Sequence, residues 1–258
     1  AYPITGFEPF AANRRIEVDA NTQDLGRVLG TDDWPTGTLV VVRGQGKAET
    51  SPVEVKNKAL RIEFQHTGEA PLVLEPRQSG KMKDEAMFVV DGGSLELLDG
   101  QFQFPNGSTA ALPGHFLSVT DGNFSLRRCQ VIGQMLDSTS GFQGLIRWKR
   151  SSAESRDLAS PAERNCGVIA DSALLTSGKL LDADLRQRTL LLRNSLFGSV
   201  GDLFDLNVQG FNSRIAGTLD ARWCTFGAGG KFLFQVRGAK DAEKATRPLN
   251  VFVQHSVL

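Results

Sequence analysis

Six segments of the chain share one spacing of apolar and small residues. In each, two apolar residues stand two positions apart, a small residue follows three positions later, and a further apolar residue ends the segment. The six segments are Leu95–Phe102, Phe124–Val131, Val168–Leu175, Leu190–Phe197, Leu219–Phe226 and Val251–Leu258. This spacing predicts a strand, a tight corner at the small residue and a second short strand, with the apolar residues facing one core.

A second apolar segment precedes each patterned one. These segments are Met87–Val90, Phe116–Val119, Leu145–Trp148, Leu180–Ala183, Leu203–Leu206 and Phe232–Val236. Each unit therefore predicts three strands joined by corners, which is one turn of a three-sided coil. Stacked coils of this kind form a β-solenoid. The second apolar residues of successive patterned segments are 22 to 44 residues apart, so the longer units carry loops in addition to the coil.

Three insertions recur at one corner of the predicted coil. Residues 149–167, 207–217 and 237–249 each join the first strand of a unit to its patterned strand. They are rich in Ser, Gly, Arg, Asp and Glu, which is typical of exposed loops. We expect them to gather on one edge of the molecule, which is often the binding edge of a solenoid.

The first 80 residues lack the repeated spacing and are predicted to close one end of the solenoid. Residues 24–30 predict a short helix that ends at Gly30, and strand-like runs follow from Thr38 onward. Such a helix would cover the apolar residues and strand edges that an open end exposes. We therefore expect one domain over residues 1–258, with the cap and first coil in 1–80 and about six coils in 81–258. Since the chain starts without methionine and ends inside a predicted strand, we expect it to be part of a larger protein.

Two Asp-Gly pairs favour a different fold. Asp91-Gly92 and Asp121-Gly122 each stand between apolar runs, which is a strong signal for a hairpin turn. An antiparallel barrel or sandwich is therefore the alternative. The solenoid is the preferred prediction, because an antiparallel sandwich gives no reason for six segments to keep one spacing over more than 150 residues.

The N-terminal region also carries a family resemblance. The predicted helix, followed by Gly37–Gly44, Pro52–Val55 and Lys58–Ile62, resembles the opening of pectate-lyase-like right-handed parallel β-helices. Those proteins begin with a capping helix, a Gly-Asp-Thr-apolar strand, a glycine turn and a Lys-x-Leu-x-Ile strand, whereas here Gly37 is followed by Thr38 without the aspartate. The chain also resembles β-helical domains of large planctomycete cell-surface and kinase-associated proteins. The resemblance implies an all-β fold, a single-stranded right-handed parallel β-helix with a short N-terminal capping helix, and the right hand agrees with the rule for parallel crossovers.

Composition argues against several kinds of partner. The chain has 29 Lys and Arg and 29 Asp and Glu, so no net field attracts nucleic acid. No run of 18 or more apolar residues is present, which argues against a membrane-spanning segment.

The three cysteines do not form a disulfide framework. Cys129 and Cys224 occupy the small position in the second and fifth units, so three rungs of the solenoid separate them by about 14 Å. A disulfide needs Cα atoms within about 7 Å of each other. We therefore predict two buried free thiols, while Cys166 lies in a polar stretch and is expected to be exposed.

Outward positions beside the corner form a candidate binding strip. The residues that follow the second apolar positions are Leu98, Arg127, Asp171, Arg193, Arg222 and Gln254. In stacked coils these side chains would form one column, and a partly basic strip would suit an acidic polysaccharide. The alternative is a solvated ladder in which Asp171 pairs with Arg127 and Arg193, each exposed pair contributing at most about 1 kcal/mol. Trp223, beside the corner, is a candidate for stacking on a sugar ring, with structural packing as its alternative role.

Two aspartates form a second candidate site. Asp182 and Asp205 occupy equivalent positions in adjacent units and are expected to stack. Neighbouring carboxylates bind Ca²⁺ or act as an acid and a base, but no Asp-x-Asp-x-Asp-Gly loop is present, so surface charge is the simpler interpretation. The three histidines show no metal-ligand spacing. No cofactor or metal site is predicted, and Ca²⁺ has no motif to support it.

The preferred functional prediction is a non-catalytic domain, extracellular, at the cell surface or periplasmic, that binds carbohydrate or another surface protein. The alternative is a divergent polysaccharide lyase or glycoside hydrolase, for which Arg193, Arg222, Asp182 and Asp205 are the candidate residues. The Arg-x-Pro-x-x-Arg signature of pectate lyases and the paired aspartates of polygalacturonases are absent. A structural spacer within a larger surface protein is the third possibility.

Overall fold

The computed structural model describes residues 10–31, 33–77, 86–106, 112–134, 142–151, 165–208, 217–230, 232–237 and 249–257. Within these ranges the chain forms one helix, α1 (Leu25–Thr31), and 23 strands in three sheets. No helix of the described ranges is long and apolar enough to cross a membrane. The predicted loops at 149–167, 207–217 and 237–249 fall largely outside these ranges.

The three sheets run along the length of the molecule. Sheet A contains β1 (Arg14–Asp19), β2 (Thr38–Gly44), β5 (Ala59–His66), β8 (Ser94–Leu98), β11 (Asn123–Arg127), β14 (Cys166–Ala170), β17 (Thr189–Arg193), β20 (Gly217–Arg222) and β23 (Leu249–Gln254). Sheet B contains β3 (Gly46–Thr50), β6 (Leu72–Pro76), β9 (Gln101–Gln103), β12 (Gln130–Ile132), β15 (Ala173–Thr176), β18 (Leu196–Ser199) and β21 (Thr225–Ala228). Sheet C contains β4 (Val53–Lys56), β7 (Ala86–Asp91), β10 (His115–Thr120), β13 (Gly144–Lys149), β16 (Lys179–Asp184), β19 (Phe204–Asn207) and β22 (Phe234–Arg237).

The chain passes through the three sheets in turn, so three consecutive strands make one coil. The first coil is β2, β3 and β4, and the second begins where β5 pairs with β2 in parallel. Each strand after that pairs in parallel with the equivalent strand of the previous coil. The predicted all-β parallel β-helix with a short N-terminal helix is confirmed.

The antiparallel alternative is wrong, and the two Asp-Gly pairs mark corners instead of hairpins. Each pair joins a sheet C strand to the next sheet A strand. Gly92 has a φ of 68° and Asp121 a φ of 49°, so both pairs use the left-handed backbone region that a hairpin turn also needs. The local signal was the same for both folds, and only the partner of the following strand distinguishes them.

Aromatic rings fill the core where the three sheets meet. Phe102 on sheet B meets Phe64 on sheet A at 5.2 Å and Phe88 on sheet C at 5.6 Å between ring centroids, both edge to face. Phe116 of sheet C lies 4.9 Å from Phe102. All four rings are buried, and edge-to-face contacts of this kind add to the gain from apolar burial. The cluster therefore ties the three sheets together.

The third repeated segment lies one residue away from the predicted register. The spacing predicts Ala170 inside the core, but Leu126 pairs with Ile169, and Arg127 pairs with Ala170. Ile169 is the inward residue, and Ser172 replaces Ala173 as the small residue of the corner. All residues of β14 are buried, so apolar residues occupy both faces of this strand and their alternation does not determine its register.

α1 closes the N-terminal end, as predicted for residues 24–30. It packs on β3 and β4 and buries Leu25 and Leu29. Gly26 lies so close to the first coil that a Cβ on it would approach the Ser51 carbonyl oxygen to 2.2 Å. β1 adds a strand before the predicted first strand. Its sequence, RRIEVD, is mostly charged, so it lacks the apolar spacing from which the other strands were predicted.

We predict that Phe102→Ala lowers the free energy of unfolding by about 3–5 kcal/mol, because it leaves a cavity among rings from all three sheets. Phe232→Ala, which truncates a ring that is 50% exposed, is the matched control and should change it by less than about 1 kcal/mol. Urea denaturation followed by circular dichroism measures both. Equal effects of the two substitutions would contradict the central role of the ring cluster.

Candidate functional site

The corner between sheets A and B is formed by a column of residues in the left-handed backbone region. Their φ angles lie between 42° and 60°, and the members are Asp99, Arg128, Asp171, Asn194, Trp223 and His255. We call this set the corner column. The backbone N–H groups from Asp99 to Trp223 in this set donate to the next coil, as in Arg128 N to the Ala170 carbonyl oxygen at 3.0 Å and Trp223 N to the Gln254 carbonyl oxygen at 3.1 Å. The column therefore follows the axis of the solenoid.

Small buried residues support the column from inside. The hydroxyl of Ser172 accepts a hydrogen bond from Cys129 N at 3.0 Å, and the hydroxyl of Ser195 accepts one from Ser172 N at 3.1 Å. Cys224 N donates in the same way to Ser256 at 3.1 Å. A sharp corner leaves a backbone N–H without a partner in the strand ladder, and the serine of the next coil provides one.

The predicted burial of Cys129 and Cys224 is confirmed, and the predicted exposure of Cys166 is wrong. All three are free thiols in buried positions. Burial raises the pKa of Cys129 to about 12 and that of Cys166 to about 11, so neither forms the thiolate that a nucleophile needs. Cys166 belongs to an apolar cluster with Val168, Ala170 and Leu191, and its polar sequence neighbours concealed this environment.

An open groove of about 710 Å³ runs beside the corner column. Asp99, Arg128, Asp171 and Asn194 line one side. Outward residues of sheet B form the floor, and successive coils contribute Gln101, Gln130, Ala173 and Leu196 to it. The groove therefore extends across several coils instead of enclosing a compact cavity.

The polar side chains of the groove divide into paired and available groups. Arg128 and Asp99 form a two-point ion pair at 2.6 and 2.8 Å, and Asn194 Nδ2 donates to Asp171 Oδ1 at 2.8 Å. Gln101 and Gln130 lie on the floor, and within the described part of the chain their side-chain amides have no hydrogen-bond partner. These two amides are free to bind hydroxyl groups of a ligand.

Aromatic side chains continue the corner column beyond Asn194. Trp223 is 42% exposed and stacks on His255, with ring centroids 5.9 Å apart and planes 9° apart. Leu196, on the neighbouring floor position, is 43% exposed. The corner column therefore presents flat aromatic surface one coil beyond the groove, whereas the groove itself presents amides and ion pairs.

The predicted basic strip is present on sheet A with one correction. Arg127 pairs with Ala170, and Ala170 pairs with Arg193, so Ala170 occupies the outward position predicted for Asp171. Asp171 belongs to the corner column, where it binds Asn194 and no arginine of the strip. The predicted ladder of Asp171 with Arg127 and Arg193 is therefore wrong, because the register of β14 differs by one residue.

A residue that the sequence analysis missed neutralises part of the strip. Asp220 binds Arg193 at 2.7 Å and Arg222 at 3.1 Å. Arg127 Nε donates to the Ser125 hydroxyl at 3.1 Å. Asp220 stands two positions before Arg222 on the same face of β20, a spacing that could have identified the pair.

Asp182 and Asp205 are direct neighbours on sheet C, as their equivalent positions predict. Each is bound by basic side chains, Asp182 by Lys149 at 2.5 Å and Asp205 by Lys179 at 2.5 Å and by Arg237. Burial alone would raise the pKa of Asp205, but the hydrogen bonds and charges of Lys179 and Arg237 outweigh it and hold that pKa below its ordinary value. This arrangement favours a structural ion-pair network, on a sheet that does not border the groove.

The pKa values of two other carboxyl groups, those of Asp184 and Asp24, are also lowered. Burial opposes ionisation of Asp184, yet hydrogen bonds from Arg186 keep its pKa below the ordinary value. The pKa of Asp24 is lowered in the same way, by Ser51 and Arg27 against the effect of burial. Over the residues that the structure describes, no group of three or more His, Cys, Asp or Glu side chains converges on a metal position.

Comparison with known proteins finds similarity among solved structures. No protein-family model matches the chain, and no curated protein matches it. Among solved structures, the chain is similar to the PL6 family alginate lyase AlyGC, with 15% sequence identity and a TM-score of 0.43. The match covers 98% of this chain and 41% of that protein, so the chain spans about two fifths of its length.

We predict that Asp205→Asn lowers the free energy of unfolding at pH 7 by about 1–3 kcal/mol, because two basic groups lose a charged acceptor. The folded-state pKa of Asp205 lies below its ordinary value of 3.8. The carboxylate therefore stabilises the fold above that pH, and this contribution is lost as the pH falls through the folded-state pKa. The variant should lose less stability than the wild type between about pH 5 and pH 2.

Urea denaturation at a series of pH values measures this difference. The control is Asp91→Asn, which changes an exposed aspartate of the same sheet. Parallel pH profiles for the wild type and Asp205→Asn would contradict the assignment of a stabilising carboxylate.

Proposed function

We propose that the chain is a non-catalytic, extracellular or cell-surface β-helix domain that binds an extended polysaccharide along the groove beside the corner column. The observation that carries the proposal is Trp223, which follows Asn194 in the corner column one coil beyond the groove and is 42% exposed although its backbone has a φ of 54°. Three arguments support it: the strain at the corner, the chemistry of the groove and its shape.

Left-handed backbone geometry is unfavourable for most side chains at this corner. Asn and Asp tolerate it because their short side chains bond locally, and three members of the corner column, Asp99, Asp171 and Asn194, are of this kind. A tryptophan has no such short side chain, and the conformation costs roughly 1–2 kcal/mol. The ring is 42% exposed and stacks on His255. Fold stability alone therefore favours asparagine at position 223, and a ligand contact explains the tryptophan.

The chemistry of the groove suits a polyhydroxylated polymer. Gln101 and Gln130 project amides at equivalent positions of adjacent coils, about 4.8 Å apart. Each amide both donates and accepts, as a hydroxyl group does. Leu196 adds apolar surface to the floor. Trp223, one coil beyond the groove, offers a flat ring that suits the apolar face of a sugar ring with its polar edge exposed.

The shape of the groove favours a chain over a compact ligand. Sites for small molecules are usually concave and bury most of the ligand, whereas this groove is open along its side and crosses several coils. A ligand with a repeating structure would meet equivalent side chains on successive coils. Arg127, whose described contact is with Ser125 alone, adds positive charge beside the groove and would favour a polymer that carries carboxylates.

The three carboxyl groups with lowered pKa values lie away from the groove. A general acid needs a pKa raised toward neutrality. The carboxyl groups of Asp24, Asp184 and Asp205 are instead shifted downward, which keeps them ionised and engaged in ion pairs or backbone hydrogen bonds. None of these three lines the groove.

Replacing Trp223 with asparagine separates function from stability. Trp223→Asn is expected to weaken glycan binding at least about tenfold, while the melting temperature stays constant or rises because the backbone strain is relieved. Isothermal titration calorimetry with a neutral β-glucan and with a polyuronate identifies which class binds. Phe232→Asn changes an equally exposed aromatic residue outside the groove and is the matched control for binding.

Three results would contradict the proposal. Unchanged binding in Trp223→Asn would remove the groove from recognition. A lower melting temperature with unchanged binding would assign the indole to packing. Release of unsaturated or reducing sugars from either polymer during the titration would favour the lyase or hydrolase alternative.

A further inference from the structure

On its N-terminal side, the groove ends at a corner that is longer than the next one. Five residues, 67–71, separate β5 from β6, whereas only two residues separate β8 from β9. His66, the last residue of β5, is exposed and lines the groove together with Gln101. Thr67 N donates to the Gly44 carbonyl oxygen at 3.0 Å, so the previous coil holds the backbone next to His66. The imidazole therefore starts from a fixed position at this end of the groove.

The imidazole of His66 is oriented by the strand that follows the corner. Leu72 N, at the start of β6, donates a hydrogen bond to His66 Nδ1 at 2.9 Å. A ring nitrogen that accepts a hydrogen bond carries no proton, so the neutral imidazole bears its proton on Nε2. Nε2 has no hydrogen-bond partner among the described residues. The side chain therefore offers the groove one donor, in an orientation that the backbone determines.

His66 lies at the level where the polar row of the groove floor stops. Within sheet B, Gln130 pairs with Gln101, and Gln101 pairs with Val73. Val73 is apolar and half-buried, so the row of amides ends at Gln101. His66 belongs to the same coil as Val73, and it adds a polar group to the lining one coil before Gln101.

We propose that His66 is a binding residue of the groove and donates its Nε2–H to an acceptor oxygen of the polysaccharide, next to the segment that Gln101 and Gln130 bind. This inference rests on the proposed function, because it assigns a further contact to the same groove. The hydrogen bond from Leu72 holds the donor in place before the ligand arrives, which lowers the entropic cost of binding.

A purely structural role explains only one of the two ring nitrogens. Other sharp corners satisfy a backbone N–H with a serine hydroxyl, as Ser172 does for Cys129 N at 3.0 Å. Short polar side chains are sufficient for this purpose. At His66 the acceptor belongs to a larger ring whose second nitrogen is a donor, and that ring lines the groove.

Two substitutions separate the two ring nitrogens. In His66→Asn the side-chain oxygen replaces Nδ1 as the acceptor for Leu72 N, but the donor at Nε2 is lost. Affinity should fall about three- to tenfold, the contribution of one neutral hydrogen bond, with the melting temperature unchanged. In His66→Gln the longer amide replaces the Nε2 donor, but Leu72 N loses its acceptor. Affinity should stay within about twofold, while the melting temperature falls by about 2–4 °C.

Isothermal titration calorimetry with a neutral β-glucan and with a polyuronate identifies the acceptor. A hydroxyl oxygen and a carboxylate oxygen both accept from Nε2–H, but the bond to the charged acceptor is about twice as strong. A larger loss of affinity for the polyuronate in His66→Asn would identify a carboxylate, and a loss for the glucan would identify a hydroxyl. Gln65→Asn changes an exposed neighbour outside the groove lining and is the matched control.

Nitrogen NMR tests the tautomer directly. The chain has three histidines, and the signals of His66 are identified by their loss in His66→Asn. At pH 8 we expect a proton on Nε2 and none on Nδ1, and addition of the polymer should shift the Nε2 signal.

The outcomes distinguish this inference from the proposed function. A proton on Nδ1, or an equal loss of affinity in Gln65→Asn, would overturn the role of His66. Unchanged affinity in His66→Asn for a polymer whose binding is weakened by Trp223→Asn would overturn this inference and leave the proposed function intact. Weaker binding in His66→Asn but not in Trp223→Asn would support His66 and contradict the role of Trp223. A wild-type protein that binds neither polymer would overturn both.

Discussion

Backbone hydrogen bonds between successive coils are the constraint on which the rest of this protein depends. Each inner strand of a sheet bonds to the equivalent strands before and after it. The corner residues from Asp99 to Trp223 donate to the carbonyl of the next coil, as Arg128 does to Ala170 at 3.0 Å. The register of one coil therefore determines the register of the next. Equivalent residues lie above one another at about 4.8 Å, and the aromatic core, the serine and cysteine supports and the corner column all follow from this alignment.

Stacking also concentrates charge, which the sequence has to balance. Because Asp182 and Asp205 occupy equivalent positions, the fold brings two carboxylates together on sheet C. Lys149, Lys179 and Arg237 lie beside them and keep both carboxylates paired. On sheet A, Asp220 has the same role between Arg193 and Arg222. In a solenoid, a side chain must therefore be judged together with its neighbours one coil away.

The corner column shows where stability and recognition have separate demands. Aspartate and asparagine suit the left-handed backbone at Asp99, Asp171 and Asn194, whereas Arg128, Trp223 and His255 place larger side chains in the same geometry. Arg128 is held by its ion pair with Asp99. Trp223 stacks on His255 and remains open to solvent. A residue that strains the backbone and leaves its ring exposed is better explained by a ligand than by the fold.

The amino-acid sequence by itself determined the coil: the inward apolar positions, the tight corner at a small residue, the N-terminal helix and the burial of Cys129 and Cys224. These features depend on the period of apolar residues, which is a local property of the chain. That period did not predict the register of β14, the strand β1 or the burial of Cys166. β14, which includes Cys166, is buried on both faces, and β1 has only two apolar residues. Only the tertiary structure forms the groove, because Gln101, Gln130, Asp171 and Asn194 come from different coils. Their proximity results from hydrogen bonds between strands that are distant in the sequence. The residues of a single coil do not determine the register in which the next coil pairs with it.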